Sequence, residues 1–105
     1  MLGQMNIKRQ PVIRQGHITI DPQCYTVTLS GEEIRLYPKE FDVLHLLVQY
    51  HGWVFSHEQI YEVVWQEEAI GCERVVYNVI CQLRKKLKNP DMIQTVIGRG
   101  YKFVG

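Results

Sequence analysis

Residues 73 to 88 read ERVVYNVICQLRKKLK, and within them Asn78 and Gln82 stand four positions apart. On a helix that spacing is one turn, so both carboxamides project from the same face. A carboxamide donates and accepts at once, which lets it pair bidentately with the N6/N7 edge of adenine. Val76, Ile80, Leu83 and Leu87 fall at i, i+4, i+7 and i+11 and fix the apolar side of the helix. The opposite side then carries Arg74, Asn78, Cys81, Gln82 and Lys85, with Tyr77 and Arg84 on one flank. Long cations around an amide pair suit the phosphates that border a row of base edges. This is the set a helix lying in the major groove of a duplex would carry. A solvated surface helix also shows polar residues opposite an apolar stripe, and a Lys-rich last turn follows from the helix dipole alone. The segment taken alone leaves both readings open.

Other chemistry finds little support. His17, His45, His51 and His57 are scattered over strand, helix and loop positions, and His57-Glu58 lacks the second histidine of H-E-x-x-H. No acid, base and nucleophile share an expected pocket, so the reading is of a non-enzyme with neither metal nor cofactor. Gly98-Arg99-Gly100 lacks the strand-to-helix setting of a phosphate loop. Cys81 on the outward face has the placement of a redox sensor, although a free cysteine is more often inert.

The elements that must hold this helix are legible from periodicity. Short β-type runs at Val12-Ile13, His17 to Ile20, Tyr25 to Leu29 and Glu33 to Leu36 are punctuated by Asp21-Pro22 and Ser30-Gly31. They predict an antiparallel meander with one wet face. At Pro38 the period changes to 3.6, and Phe41, Leu44, Leu47 and Val48 predict a helix to about His51 that stops at Gly52. Ser56 and Gln59 have capping-box spacing and open a second helix with a buried stripe of Ile60, Val63 and Val64, ending at Trp65. An aperiodic acidic connector, residues 66 to 72, leads to the third helix, from about Glu73 to Leu87, which Asn89-Pro90 ends. Two β-runs, Ile93 to Ile97 and Tyr101 to Val104, close a hairpin with Gly98-Arg99-Gly100 as its turn. The fold class is therefore α+β, with residues 1 to 10 as a tail or interdomain linker and residues 11 to 105 as one domain.

The charge follows the same division. The total of 12 Lys+Arg against 11 Asp+Glu gives +1, which argues for no polyanionic partner. Residues 1 to 72 hold five Lys/Arg and nine Asp/Glu, a net of −4, whereas residues 73 to 105 hold seven against two, a net of +5. The third helix and the hairpin are thus a basic end on a near-neutral chain, a layout compatible with nucleic acid. Cys24, Cys72 and Cys81 form no C-x-x-C pair and fit a reduced, cytoplasmic protein. No signal peptide or membrane-spanning run is visible.

From Leu36 to Phe103 the chain resembles the OmpR/PhoB-type winged-helix output domain of bacterial two-component response regulators. The similar runs are L-Y-P-K-E-F (36 to 41), S-H-E-Q-I (56 to 60), V-W (64 to 65), R-V-V-Y-N-V-I-C-Q-L-R-K-K-L (74 to 87) and Q-T-V-I-G-R-G-Y-K-F (94 to 103). The resemblance implies a helix-turn-helix that binds double-stranded DNA sequence-specifically and regulates transcription, the third helix in the major groove and the hairpin a wing on the backbone or minor groove. It implies phosphate contacts for Arg74 and Arg84, and wing hydroxyls at Thr95 and Tyr101 that reach the backbone. Tyr101 equally fits packing beside Phe103. Trp65 resembles a position that packs the core edge and can offer its indole N–H to a phosphate. The connector occupies the family's transactivation-loop position, where Glu67, Glu68 and Ile70 are candidate contacts with RNA polymerase.

The chain departs from the family pattern at several places. Tyr37 stands where Thr or Ser usually caps the first helix, Cys81 and Gln82 replace basic residues, and Ile97 replaces a wing Arg while Arg99 appears in the turn. Arg99 is the expected minor-groove probe, because a narrow groove attracts Arg. A receiver domain with its phosphoacceptor aspartate does not fit in this length, and the first ten residues look like the linker to one. A free-standing regulator, or a membrane-tethered relative of the ToxR type, is the alternative. A second copy on tandem half-sites about one helical turn apart would supply specificity that one domain lacks. The rival class is a winged-helix module that binds a protein through its third helix or connector.

Overall fold

The computed structural model describes residues 10–105. The tail expected before Gln10 lies outside the described residues. Four strands, β1 (Ile13–Gln15), β2 (Ile18–Asp21), β3 (Thr26–Leu29) and β4 (Glu32–Ile34), form an antiparallel meander in chain order. Its register sets Ile13 opposite Ile20, Ile20 opposite Val27 and Val27 opposite Ile34, so one aliphatic row crosses all four strands. Period-2 alternation puts this row on the core face and Thr19, Thr28 and Glu33 on the other.

Helix α1 (Pro38–Gln49) ends two residues earlier than the sequence suggests and buries seven of its twelve residues, more than one stripe. It packs against β1, the next two helices and the final strand, which leaves little of its circumference wet. Tyr37 makes no side-chain cap hydrogen bond, as expected, but Glu40 supplies the other half of a cap by accepting from the Tyr37 N–H at 2.9 Å. Glu40 is buried and also receives the Lys86 ammonium at 2.6 Å. That ammonium lies 4.5 Å from the Tyr37 ring centroid, so one cluster ties the start of α1 to the end of the third helix.

Helix α2 (His57–Trp65) opens with the expected reciprocal cap: Ser56 Oγ accepts from the Gln59 N–H at 3.1 Å, and Gln59 Oε1 from the Ser56 N–H at 2.9 Å. Its buried strip is narrower than expected. Ile60 is fully buried and Val64 half-buried, while Val63 is 54% exposed. Nine residues wedged against two helices bury one i, i+4 line, and Val63 falls off it, onto the rim of a groove shared with Asp42, His45 and Leu46.

Helix α3 (Glu73–Lys86) buries Val76, Ile80 and Leu83 completely, and Leu87, its C-cap, likewise. Lys88 turns left-handed, and Asn89 caps a short 3-10 turn, Pro90–Met92, by accepting from the Asp91 N–H at 3.1 Å. Strands β5 (Ile93–Val96) and β6 (Gly100–Phe103) form the hairpin. Its turn comprises residues 97 to 99 rather than 98 to 100, closed by the Arg99 N–H donating to the Val96 carbonyl at 2.8 Å. Gly100 belongs to β6 for a steric reason. The strand pairs with Phe55 through two backbone hydrogen bonds with Tyr101, 2.8 and 2.9 Å, and a Cβ on Gly100 would stand 1.9 Å from the Phe55 carbonyl oxygen. The architecture is the expected winged helix-turn-helix with an N-terminal meander, three helices and a C-terminal wing. Among the described residues no helix is long and apolar enough to cross a membrane.

Candidate nucleic-acid interface

The apolar stripe of α3 seals one side of that helix and thereby exposes the other. Arg74, Tyr77, Asn78, Gln82 and Lys85 are exposed, while Cys81 and Arg84 are half-buried. Arg84 faces the wing. Its Nε and Nη2 donate to the Ile93 carbonyl at 3.1 and 2.7 Å, and Nη2 also donates to Thr95 Oγ1 at 2.8 Å. Its guanidinium carbon lies 5.7 Å from the Tyr101 ring centroid. Arg84 is therefore a clamp between α3 and β5, a function that residue type and position did not reveal.

Tyr101 resolves between its two expected placements in favour of packing: it is 3% exposed, with its ring in the core beside Phe103. Its hydroxyl lies 3.1 Å from His57 Nε2, and the two rings meet edge to face with centroids 5.1 Å apart. Burial pushes the Tyr101 phenol up, against the opposing pull of the Arg84 charge. His57, which sequence reasoning did not single out as a candidate, lines the grooves beside α3 and the wing. Nothing local marks it, because its partner is 44 residues away.

The start of α2, the start of α3 and the wing converge. His57 and Tyr101 line one groove with Glu73, Arg74, Tyr77 and Asn78. They line a second with Glu73, Thr95 and Arg99. Arg99 and Thr95 are exposed, and Ile97 at the hairpin tip is 93% exposed. Through the shared residues His57, Glu73 and Tyr101, the groove of Arg74, Tyr77 and Asn78 on α3 adjoins the groove of Thr95 and Arg99 on the wing.

The basic end is less uniform than its net charge. Lys86 pairs with Glu40, and Lys88 lies 3.6 Å from Glu32, so both turn toward the acidic part of the chain. Arg74, Lys85, Arg99 and Lys102 make no ion pair among the described residues. They are the cations that remain for a polyanion.

Two further candidates lie apart from α3. Trp65 is half-buried and stacks on Tyr61 with centroids 5.0 Å apart, and the Lys39 ammonium lies 5.6 Å from the indole ring. In the connector, Glu67 accepts from the Tyr61 hydroxyl at 3.0 Å, which pushes that phenol up, and Cys72 is buried just before α3. Glu68 is exposed and Ile70 is 78% exposed, an apolar side chain in an acidic loop.

Comparison with known proteins places these features in context. Residues 31–103 match the family described as "Transcriptional regulatory protein, C terminal". The transcriptional regulatory protein CutR of Streptomyces coelicolor is 40% identical over 92 residues, covering 88% of this chain and 42% of the relative. The chain thus spans less than half the length of that curated relative. Among solved structures, the Klebsiella pneumoniae RstA DNA-binding domain, crystallised with the RstA box, superposes with a TM-score of 0.82 at 32% identity, covering 90% of this chain and 98% of that one. The Thermotoga maritima response regulator DrrB, an OmpR/PhoB homologue, superposes with a TM-score of 0.78 at 35% identity, covering 90% of this chain and 44% of that one.

Proposed function

The chain belongs to the family of C-terminal domains of transcriptional regulatory proteins, of OmpR/PhoB type, and from that premise we propose that it binds double-stranded DNA sequence-specifically as the output domain of a response regulator. The observation that supports the reading is that the Asn78 and Gln82 amides, the cations Arg74 and Lys85, which have no ion pair among the described residues, and the wing residue Arg99 are all exposed, with the groove of Arg74 and Asn78 sharing His57, Glu73 and Tyr101 with the groove of Arg99. In this reading α3 lies in the major groove, Asn78 and Gln82 contact base edges, and Arg74 and Lys85 contact phosphates. Tyr77 and Cys81 line the groove wall, and Arg99 at the wing enters the adjacent minor groove. Arg84 acts chiefly by fixing the wing at its angle to α3, with Thr95 held between them.

A second copy on a neighbouring half-site would add the specificity one reading helix lacks. Glu67, Glu68 and the exposed Ile70 are the candidate RNA polymerase contact, and a receiver domain in a longer parent chain is the candidate source of the signal. Trp65 supports the edge of the core, with a phosphate contact through its indole N–H as the finer proposal. Fluorescence polarisation on a random duplex pool at two salt concentrations tests the core of the proposal. Binding that weakens steeply with salt, followed by enrichment of one site on selection, is expected. Binding that is absent or insensitive to salt would point instead to a protein-interaction module.

A further inference from the structure

We propose that Ile97 determines specificity at the wing: its side chain enters the minor groove beside Arg99 and rejects G·C pairs, because it offers the guanine amino group neither room nor a partner. The inference rests on the DNA-binding reading and deepens it. Ile97 is 93% exposed, the most exposed large hydrophobic side chain among the described residues. It is the second residue of the turn 96–99, which the Arg99 N–H closes on the Val96 carbonyl at 2.8 Å. The third residue, Gly98, has φ +75°, and apart from its chain neighbours nothing stands within 4 Å of where its Cβ would be. The backbone conformation and not packing thus calls for glycine there, and it leaves the tip one side chain wide. The tip is also held. Strands β5 and β6 pair from Ile93 opposite Phe103 to Val96 opposite Gly100, Tyr101 exchanges two backbone hydrogen bonds with Phe55, and Arg84 grips the Ile93 carbonyl and Thr95. A β-branched side chain on such a support loses little freedom when it is buried.

A lone isoleucine between a half-buried valine and a glycine is too small for a protein-docking patch, which buries many side chains around an apolar centre. It fits a slot. The minor groove of B-DNA is about 6 Å wide, and its floor differs between pairs by one group. A·T shows only the adenine N3 and thymine O2 acceptors, whereas G·C adds the N2 amino donor of guanine. Over G·C, the isoleucine would strip water from that amino group and return no acceptor, the costly way to bury a donor. Over A·T it meets the apolar C2–H of adenine. N3 and O2 are left to the guanidinium of Arg99, which is exposed two residues on and makes no ion pair among the described residues. The two side chains then act differently: Arg99 draws the wing to the groove by charge, and Ile97 discriminates between pairs. Val96, Gly98 and Arg99 line one groove with Glu73 of α3, so the pair that Ile97 tests lies beside the segment that α3 reads.

Base analogues isolate the one group at issue. On a duplex carrying the selected site, each A·T pair is replaced in turn by diaminopurine·thymine, which keeps the major-groove pattern of A·T and adds the N2 amino group. Inosine·cytosine does the converse, keeping the major-groove pattern of G·C without that group. Polarisation at fixed salt compares the wild type with Ile97→Ala, Ile97→Asn and Arg99→Ala, whose thermal melts should match it because these positions are exposed. At the pair under the wing, diaminopurine is expected to weaken the wild type about tenfold, the lower part of the range for a donor buried without a partner. Guanosine there should do the same, and inosine should restore binding. Ile97→Ala should no longer distinguish the duplexes while keeping the wild-type salt slope, since an apolar contact releases no counterion. Ile97→Asn, which can accept from the amino group, should bind the diaminopurine duplex at least as well as the A·T one. Arg99→Ala should keep the discrimination and lose about 0.9 of the salt slope. If no pair shows a diaminopurine penalty that Ile97→Ala removes, the inference is overturned and DNA binding stands. Discrimination lost in Arg99→Ala and kept in Ile97→Ala overturns it too, and makes Arg99 the reader. Unchanged binding of every duplex by Ile97→Ala overturns it and leaves Ile97 for a protein partner. Absence of salt-dependent binding by the wild type overturns the parent reading and this inference with it.

Discussion

Arg84 separates a phosphate contact from an architectural clamp, because the two assignments predict opposite outcomes for a change that keeps the charge. In the folded domain its Nε and Nη2 donate to the Ile93 carbonyl, and Nη2 also holds Thr95 Oγ1. Ile93 is 1% exposed, so stripping the guanidinium from its carbonyl leaves an acceptor with poor access to water. Such a group costs ~1–3 kcal/mol. The lost contact with the Tyr101 ring, 5.7 Å from the guanidinium carbon, adds ~0.5–1 kcal/mol. Arg84→Met, which keeps the stem and removes the fork, should therefore destabilise the domain by about 2–3 kcal/mol. At ~4 °C per kcal/mol for a domain of this size, the melting temperature should fall by about 10 °C. Arg84→Lys restores the charge but cannot reproduce two N–H donors on one carbonyl, so it should recover less than half of that loss. Calorimetry or thermal circular dichroism on the three proteins measures the stabilities, and polarisation measures their salt slopes. If Arg84→Met melts with the wild type while its salt slope falls by a full unit, Arg84 is a phosphate ligand and the clamp assignment is wrong.

Four further outcomes are expected. Gln82→Ala should cost ~1–3 kcal/mol on the selected site and relax the preference at one base pair, read by repeating the selection; an unchanged site would reject the assigned reading face. Gly100→Ala should destabilise by at least ~3 kcal/mol, since a Cβ 1.9 Å from the Phe55 carbonyl oxygen breaks a two-bond bridge at φ +143°; a wild-type urea midpoint would contradict this. Lys86→Met leaves the Glu40 carboxylate buried without its cation and should cost ~3 kcal/mol, the low end for a buried pair because Lys86 retains 27% side-chain exposure. Burial lowers His45 below its ordinary value of 6.5, with Asp42 opposing. The folded state then binds fewer protons than the unfolded one, so this contribution to stability is complete above about pH 6.5 and is lost as the pH falls through the lowered value. Urea melts between pH 7.5 and 5 should show the loss in wild type and not in His45→Gln.

Local periodicity is enough to read off the elements and their order. Val76, Ile80, Leu83 and Leu87 were legible as one buried stripe because helical period acts within a few residues, and all four are fully buried. The Ser56 and Gln59 cap is equally local. The outward placement of Asn78 and Gln82 needs only that stripe. Where several elements compete for one side chain, local rules failed. Val63 has the spacing of a core residue and lies on a groove rim because α2 has room for a single buried line. The hairpin turn shifted by one residue because Phe55, far off in sequence, must approach Gly100. Tertiary structure alone decided the roles of the charged and polar groups. Lys86 meets Glu40 46 residues away, and Tyr101 meets His57 across 44, while Arg84 turns to the wing instead of outward. Periodicity assigns a side chain to a face of its own element, and only the packing of elements decides what stands opposite it. For this chain, the first decided which residues of α3 face outward, and the second decided which of them are already held.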